Sequence, residues 1–163
     1  ITAPMETQSI VTQVQLYQFD ELATDYQKIV TLAKEQTGKS YSPYSHFAVG
    51  AAVLMENGEI FAGSNQENAA YPSGLCAERT TMFYANAQRP DVPIKAIAIA
   101  AYTNDDYLED PVAPCGACRQ ALLENESRFG QPLQVLLYGK KGIYFVESIK
   151  DLLPLCFTKE SMQ

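Results

Sequence analysis

The sequence predicts an α/β fold in three layers, with a mixed, mostly five-stranded sheet flanked by helices. Short apolar stretches bounded by turn residues alternate with longer stretches whose apolar residues recur at helical spacing. The length of 163 residues favours a single domain over residues 1–163. Hydrophobic residues make up 47% of the chain, which is enough to build a full core.

The chain begins with a predicted strand and helix. Residues 7–18 are rich in Val, Ile, Thr and Tyr, so we expect residues 1–19 to form an N-terminal strand extension. Asp20 is the expected N-cap of a helix that Gly38 closes. Apolar residues with helical spacing define the buried face of this helix: Leu22, Tyr26, Ile29, Val30 and Ala33.

A hairpin and a second helix follow. Residues 48–56 and 59–65 are expected to be strands, joined at Asn57-Gly58, a dipeptide typical of hairpin turns. A polar loop then leads to a helix over residues 76–87.

The remaining elements continue the alternation. We expect strands at residues 94–102, 133–138 and 143–147, an acidic loop at 105–110, a helix at 115–125 and a short helix at 148–153. Ser148 is the expected cap of the last helix, which ends before Pro154.

Two short motifs contain three of the four cysteines. C-A-E begins at Cys76 and ends at Glu78, and P-C-G-A-C contains Cys115 and Cys118. Catalytic zinc sites commonly have three protein ligands and a fourth position for water. The three cysteines would be the ligands, and Glu78 would lie beside the water without binding the metal. This combination resembles the signature of zinc-dependent nucleobase deaminases, in an all-cysteine form.

The chemistry expected of this site is hydrolytic deamination. Zinc lowers the pKa of its water, and Glu78 would transfer protons from that water to ring N3 and to the leaving amine. Both motifs are predicted to open helices. The N–H groups and partial positive charge of a helix N-terminus favour thiolates over thiols.

Other interpretations of the cysteines remain open. A structural zinc site needs a fourth ligand, and only His46 and Cys156 are available outside the motifs. A redox pair in the later motif would leave Cys76 and Glu78 without a role. The alternatives are a binding module with a structural zinc, and an enzyme acting on a related aminopyrimidine nucleoside or an antibiotic such as blasticidin S.

Charge and composition limit the kinds of partner and the cellular location that we expect for this protein. The net charge is −7 with a pI near 4.7, and no basic run is present to neutralise phosphates, which disfavours a nucleic-acid partner. No stretch is long and apolar enough to span a membrane, and residues 1–9 lack the layout of a signal peptide. Thiolate ligands fit a reducing compartment, so we expect a cytoplasmic protein with a small-molecule substrate.

Longer stretches resemble the small homotetrameric cytidine deaminases. They are SPYSHFAVGAAV from Ser42, NQENAAYPSGLCAERT from Asn65 and PCGACRQ from Pro114, and the resemblance runs to about Phe157. It implies the cytidine deaminase fold, and conversion of cytidine and deoxycytidine to uridine and deoxyuridine with release of ammonia in pyrimidine salvage. It also implies one Zn²⁺ per subunit and a homotetramer.

The resemblance implies substrate contacts as well. Asn65 and Glu67 would hold the ribose hydroxyls, and Phe47 would pack on the pyrimidine ring. The backbone of Ala77 and Ala113 would contact the base.

Two further roles concern the metal and the neighbouring subunit. Arg79 would be the partner of the thiolates, because three thiolates carry more negative charge than one zinc ion neutralises and a guanidinium donates several hydrogen bonds. Tyr71 and Phe157 match regions that pack at subunit boundaries, and Phe157 would reach a neighbour's site.

Overall fold

The structure, a computed structural model that describes residues 1–163, contains one seven-stranded sheet with α-helices on both faces. The helices are α1 (Thr24–Thr37), α2 (Ala77–Gln88) and α3 (Gly116–Phe129). The strands are β1 (Gln15–Tyr17), β2 (Ala48–Met55), β3 (Ile60–Ser64), β4 (Ile94–Thr103), β5 (Asp106–Tyr107), β6 (Gln134–Gly139) and β7 (Gly142–Val146). The α/β class is confirmed. β1 belongs to the predicted N-terminal extension of the five-stranded sheet, and β5 is a strand that we did not expect.

The sheet topology brings the starts of two helices to one edge. The strand order is β1-β7-β6-β4-β2-β3, and β5 pairs with β4. Only β4 and β6 pair in parallel, which confirms a mixed sheet. Since β3 and β4 are both antiparallel to β2, they run in the same direction. The chain leaves each of them at the same edge of the sheet, and α2 and α3 begin beyond that edge.

The two faces of the sheet carry different side chains, as the period of a strand requires. On β4, Ile97 and Ile99 belong to the core cluster that includes residues of α2 and α3. The alternate positions are alanines, Ala96, Ala98 and Ala100, which belong to the cluster formed with α1. These small side chains let α1 approach the sheet closely. At Gly50 the approach is so close that an added Cβ would lie 2.0 Å from the Ala33 carbonyl oxygen.

The predicted N-terminal strand is much shorter than expected. Of residues 7–18, only Gln15–Tyr17 form a strand, which pairs antiparallel with β7. The partner strand explains the limit, because β7 ends at Val146, one residue past the Phe145 that pairs with Gln15. The residues before Gln15 are exposed and form no regular secondary structure.

Asp20 is not the N-cap of α1, as we expected, because it lies inside a separate 3-10 turn over Phe19–Glu21. The Glu21 carboxylate accepts a hydrogen bond of 2.8 Å from the backbone N–H of Gln18, which caps this turn. α1 begins only at Thr24, after Ala23.

Two further segments differ from the prediction in where their strands and helices begin or end. The acidic loop contains β5, because Asn104 and Asp105 adopt left-handed φ values of 52° and 60° and turn the chain back onto β4. α3 continues past residue 125 to Phe129 and ends at Gly130, whose φ of 66° suits glycine.

Two local predictions about turns and caps are confirmed. Asn57-Gly58 lies in the turn between β2 and β3, with Gly58 at a φ of 86°. Ser148 caps the short 3-10 helix Ile149–Leu152 by accepting from the Lys150 N–H. None of the helices has both the length and the apolar composition that crossing a lipid bilayer requires.

Candidate active site

Three thiols converge at the edge of the sheet where α2 and α3 begin. Cys76 is the N-cap of α2, Cys115 is the N-cap of α3, and Cys118 lies in the first turn of α3. Their sulfur atoms all lie within 4.8 Å of one another, and those of Cys76 and Cys115 are 3.9 Å apart. Two thiolates on one tetrahedral zinc, each about 2.3 Å from the metal, would be about 3.8 Å apart. The donor set and its spacing therefore fit zinc.

No fourth protein ligand belongs to this cluster. All four cysteines are free thiols, and Cys156 and His46 are not part of the group that could hold a metal ion. These residues therefore do not form a structural zinc site, which needs four protein ligands. Three thiols leave room for a water, as in catalytic zinc sites.

Hydrogen bonding among the thiols already favours one thiolate. The pKa of Cys76 is lowered to about 5, mainly by its hydrogen bond with the Cys118 thiol, with further contributions from Arg79 and Cys115. The same bond and burial raise the pKa of Cys118. A metal ion takes deprotonated sulfur, so zinc binding would release the protons that remain.

Glu78 lies in the first turn of α2 and is only 5% exposed. Burial is the main cause that raises the pKa of its carboxyl group, and the nearby Cys76 thiolate raises it further. The carboxyl group is not one of the potential metal ligands. A buried carboxyl with a raised pKa, beside a metal site, is suited to accept and donate protons.

Arg79 contacts the thiol cluster directly. Its Nη2 lies 3.6 Å from the Cys76 sulfur, and its Nε is buried without a hydrogen-bond partner. Interactions with the sulfurs of Cys76 and Cys118 raise the pKa of the guanidinium. The cation therefore stands where it offsets the negative charge of the thiolates.

A cavity of about 520 Å³ opens beside the cluster. Cys76 and Arg79 line it, and so do Asn65 and Glu67 from the loop before α2. Tyr44 and Tyr71 also line it, with ring centroids 6.2 Å apart. Its size is in the range of small-molecule sites.

The other predicted substrate residues lie outside the lining of this cavity. Phe47 is half-buried, and Ala77, the first residue of α2, is completely buried. Ala113 is exposed, just before the second cysteine motif.

Most of the Asn65 side chain is engaged within the chain. Its Oδ1 accepts from the Ser40 hydroxyl and from the Val49 N–H at 2.8 Å, and its Nδ2 donates to the Phe47 carbonyl at 2.9 Å. An amide has two N–H donors and an oxygen that accepts about two bonds. One N–H of Asn65 therefore remains for a ligand.

Glu67 accepts bonds from the loop before β2. Its Oε2 accepts from the backbone N–H of Tyr44 at 2.9 Å and of Ser45 at 3.3 Å, and its Oε1 accepts from the Ser45 hydroxyl. The Ser45 hydroxyl bond is the largest of the causes that hold the pKa of Glu67 below its ordinary value. The carboxylate is therefore an ionised acceptor at neutral pH.

The sequence did not point to two of the supporting residues. Arg119 holds the second motif in place by donating to the Pro114 and Leu152 carbonyls, each at 2.8 Å. Its position directly after Cys118 was the only signal available. Ser45 contacts Glu67 across 22 positions of sequence, so only the fold brings the pair together.

Comparison with known proteins agrees with this geometry. Residues 23–129 match the family described as the cytidine and deoxycytidylate deaminase zinc-binding region. The chain is 41% identical over 140 residues to the cytidine deaminase of Sporosarcina psychrophila, which covers 85% of this chain and 95% of that protein. It is 34% identical over 138 residues to a probable cytidine deaminase of Dictyostelium discoideum, covering 85% and 87% of the two chains.

Solved structures give the same result. The cytidine deaminase of Burkholderia pseudomallei superimposes with a TM-score of 0.68 at 41% identity, covering 80% of this chain and 97% of that one. That of Mycobacterium tuberculosis gives a TM-score of 0.66 at 29% identity, covering 83% and 99%. The matched family region contains both cysteine motifs. The chain therefore belongs to the cytidine and deoxycytidylate deaminase zinc-binding family.

Proposed function

We propose that this protein is a zinc-dependent cytidine deaminase of pyrimidine salvage, which converts cytidine and deoxycytidine to uridine and deoxyuridine with release of ammonia. The observation that carries the proposal is a cluster of three thiols beside a buried, non-ligating carboxyl group and a cavity of about 520 Å³. Membership of the deaminase family supports it. The relatives named above carry the name cytidine deaminase.

In this proposal Cys76, Cys115 and Cys118 hold one zinc ion per subunit. Bound zinc supplies Lewis-acid activation of the attacking water. Glu78 accepts a proton from the water and gives a proton to ring N3 as the oxygen adds at C4. It then takes the proton of the hydroxyl added at C4 and passes it to the amino group. The C4–N bond breaks, the C4 carbonyl forms and ammonia leaves. The buried position of Glu78 suits it to both directions of transfer.

The sugar would be recognised by residues of the loop before α2 that line the cavity. Glu67 is the acceptor for a ribose hydroxyl, and Asn65 offers the single N–H that its internal bonds leave free. Two further contacts with the base are proposed. Phe47 would pack on the pyrimidine ring, and the backbone of Ala77 would contact the base. Neither residue lines the cavity of about 520 Å³, so both contacts require the base to extend beyond its lining.

Three broader proposals accompany the activity. Residues 1–163 would act as one deaminase domain, with residues 1–19 as its extension. The cytoplasm is the proposed location, since all four cysteines are free thiols. A homotetramer is proposed because large apolar side chains stay exposed on α2 and near the C-terminus, which marks association surfaces. They are Phe83, Tyr84, Leu155 and Phe157.

A substrate panel tests the function. Zinc-loaded protein is incubated with cytidine, deoxycytidine, cytosine and blasticidin S, and deamination is followed by ultraviolet absorbance. Both nucleosides should be converted. Cytosine should be a very poor substrate, because a site built to bind a hydroxyl leaves its own polar groups unpaired without one. Turnover of blasticidin S alone would favour the antibiotic-deaminating alternative. No turnover by zinc-loaded protein would favour a binding module.

A further inference from the structure

We infer that Ser45 is a positioning residue that orients the Glu67 carboxylate toward a sugar hydroxyl of the substrate, an inference that rests on the function proposed above. Both residues line the cavity that Cys76 borders. Ser45 itself does not need to touch the substrate, because its hydroxyl is already committed to Glu67.

The direction of the Ser45 hydroxyl follows from its two partners. The backbone N–H of Phe47 donates to Ser45 Oγ at 3.1 Å. A serine hydroxyl has one proton to donate, and this proton goes to Oε1 of Glu67. The Phe47 amide therefore fixes the acceptor side of the hydroxyl and the carboxylate takes its donor side.

The Glu67 carboxylate is held at both oxygens by one short segment. Oε2 accepts the Tyr44 and Ser45 amides while Oε1 accepts the Ser45 hydroxyl. A carboxylate offers about four acceptor positions, so about one remains for a ligand. Holding a flexible glutamate in one orientation before binding removes part of the ordering cost of recognition.

Other hydrogen bonds also hold the loop that contains Ser45. Thr103 on β4 donates to the His46 carbonyl at 2.9 Å, and Asn65 donates to that of Phe47. His46 also donates its N–H to the Ser42 carbonyl at 3.0 Å. These bonds do not involve the Ser45 hydroxyl. Removing the hydroxyl should therefore release one oxygen of Glu67 without unfolding the loop.

The test compares Ser45→Ala with Ser45→Thr, which retains a hydroxyl, and with Ser127→Ala, whose hydroxyl on α3 makes no hydrogen bond in the structure. Each variant is assayed with cytidine and with 2′,3′-dideoxycytidine, which lacks both ring hydroxyls. Ser45→Ala should lower kcat/KM for cytidine about tenfold, mainly through KM, and change that for the dideoxy compound less than about twofold. Ser45→Thr should recover most of the loss, and Ser127→Ala should match the wild type.

An equal loss on both substrates, or no loss on cytidine, would overturn the assignment. If the wild-type protein does not deaminate cytidine, the proposed function fails instead, and hydrogen exchange still tests the arrangement. The Phe47 amide should then exchange at least about tenfold faster in Ser45→Ala than in the wild type. Unchanged exchange would show that the hydroxyl does not have the orientation described.

Discussion

At the residue scale, Glu78 combines burial with closeness to the thiolates. Burial is the main cause that raises the pKa of its carboxyl group, and the charge of Cys76 adds to it, whereas Cys118 and Arg79 act to lower it. The C-A-E pattern placed an acid near the metal, but the burial of this acid could not be derived from it. The structure adds that the carboxyl group lies in the interior, where proton transfer is shielded from bulk water.

The first prediction concerns proton transfer by this residue. Glu78→Gln keeps the size of the side chain but removes its ability to accept and return a proton. We expect zinc content near that of the wild type and kcat lowered at least about 100-fold. Atomic absorption and a cytidine assay give both values. Glu35→Gln, an exposed glutamate on α1, is the control and should behave as the wild type. Retained turnover in Glu78→Gln would remove the proposed role.

The second prediction concerns the cation beside the sulfurs. Arg79→Gln removes the positive charge that lies 3.6 Å from Cys76, so the protein should lose zinc to a competing chelator more readily. Residues that support metal ligands typically contribute 10- to 100-fold in affinity or activity, and we expect about tenfold here.

Arg89→Gln is the matched control for this change. Arg89 lies at the C-terminal end of α2, the helix that contains Arg79. On the surface, its Nε lies 2.8 Å from Oε1 of Glu59. Its loss should leave zinc retention unchanged. Equal zinc retention in folded Arg79→Gln and Arg89→Gln proteins would show that Arg79 does not stabilise the site.

At the element scale, the two helix starts were predictable and the flanking segments were not. The cysteines mark the starts of α2 and α3 because metal ligands and helix N-termini share the same residues. Residues 7–18 have strand-like composition, yet only three of them pair, since pairing depends on what the partner strand offers. Asp20 does not cap α1, because it lies inside a separate turn that Glu21 caps before α1 begins.

The third prediction tests what β1 contributes. Deleting residues 1–14 keeps β1, whereas deleting residues 1–18 removes it and exposes the edge of β7. β1 also packs Tyr17 edge-on against Phe145, with ring centroids 5.8 Å apart. For a chain of this size, each 1 kcal/mol lost lowers Tm by about 2–4 °C. The longer deletion should lower Tm by at least about 4 °C relative to the shorter one, as measured by calorimetry. Equal Tm values would mean that β1 adds no stability.

At the scale of the whole molecule, the sheet order explains how distant motifs form one site. Cys76 and Cys115 are 39 positions apart in the sequence. They meet at one edge of the sheet because β3 and β4, which lie on either side of β2, run in the same direction. The spacing of the cysteines was enough to predict this cluster, because zinc ligation specifies the contact. The internal bonds of Asn65 could not be predicted, since they depend on the position of the loop before β2.

The fourth prediction concerns assembly. If the exposed apolar residues of α2 and the C-terminal segment pack against other copies, light scattering should give about four times the chain mass of 18.0 kDa. A fully active monomer at assay concentration would contradict the homotetramer and would leave the catalytic proposal intact.

The fifth prediction concerns the removal and return of zinc, on which the proposed reaction depends. The protein is stripped with a chelator, then titrated with Zn²⁺ while ultraviolet absorbance follows cytidine. Deamination should disappear in the stripped protein and return as zinc approaches one ion per chain, because the three thiols form one cluster. Full activity of the folded, metal-free protein, or a folded protein with one zinc per chain that leaves cytidine unchanged, would contradict this prediction.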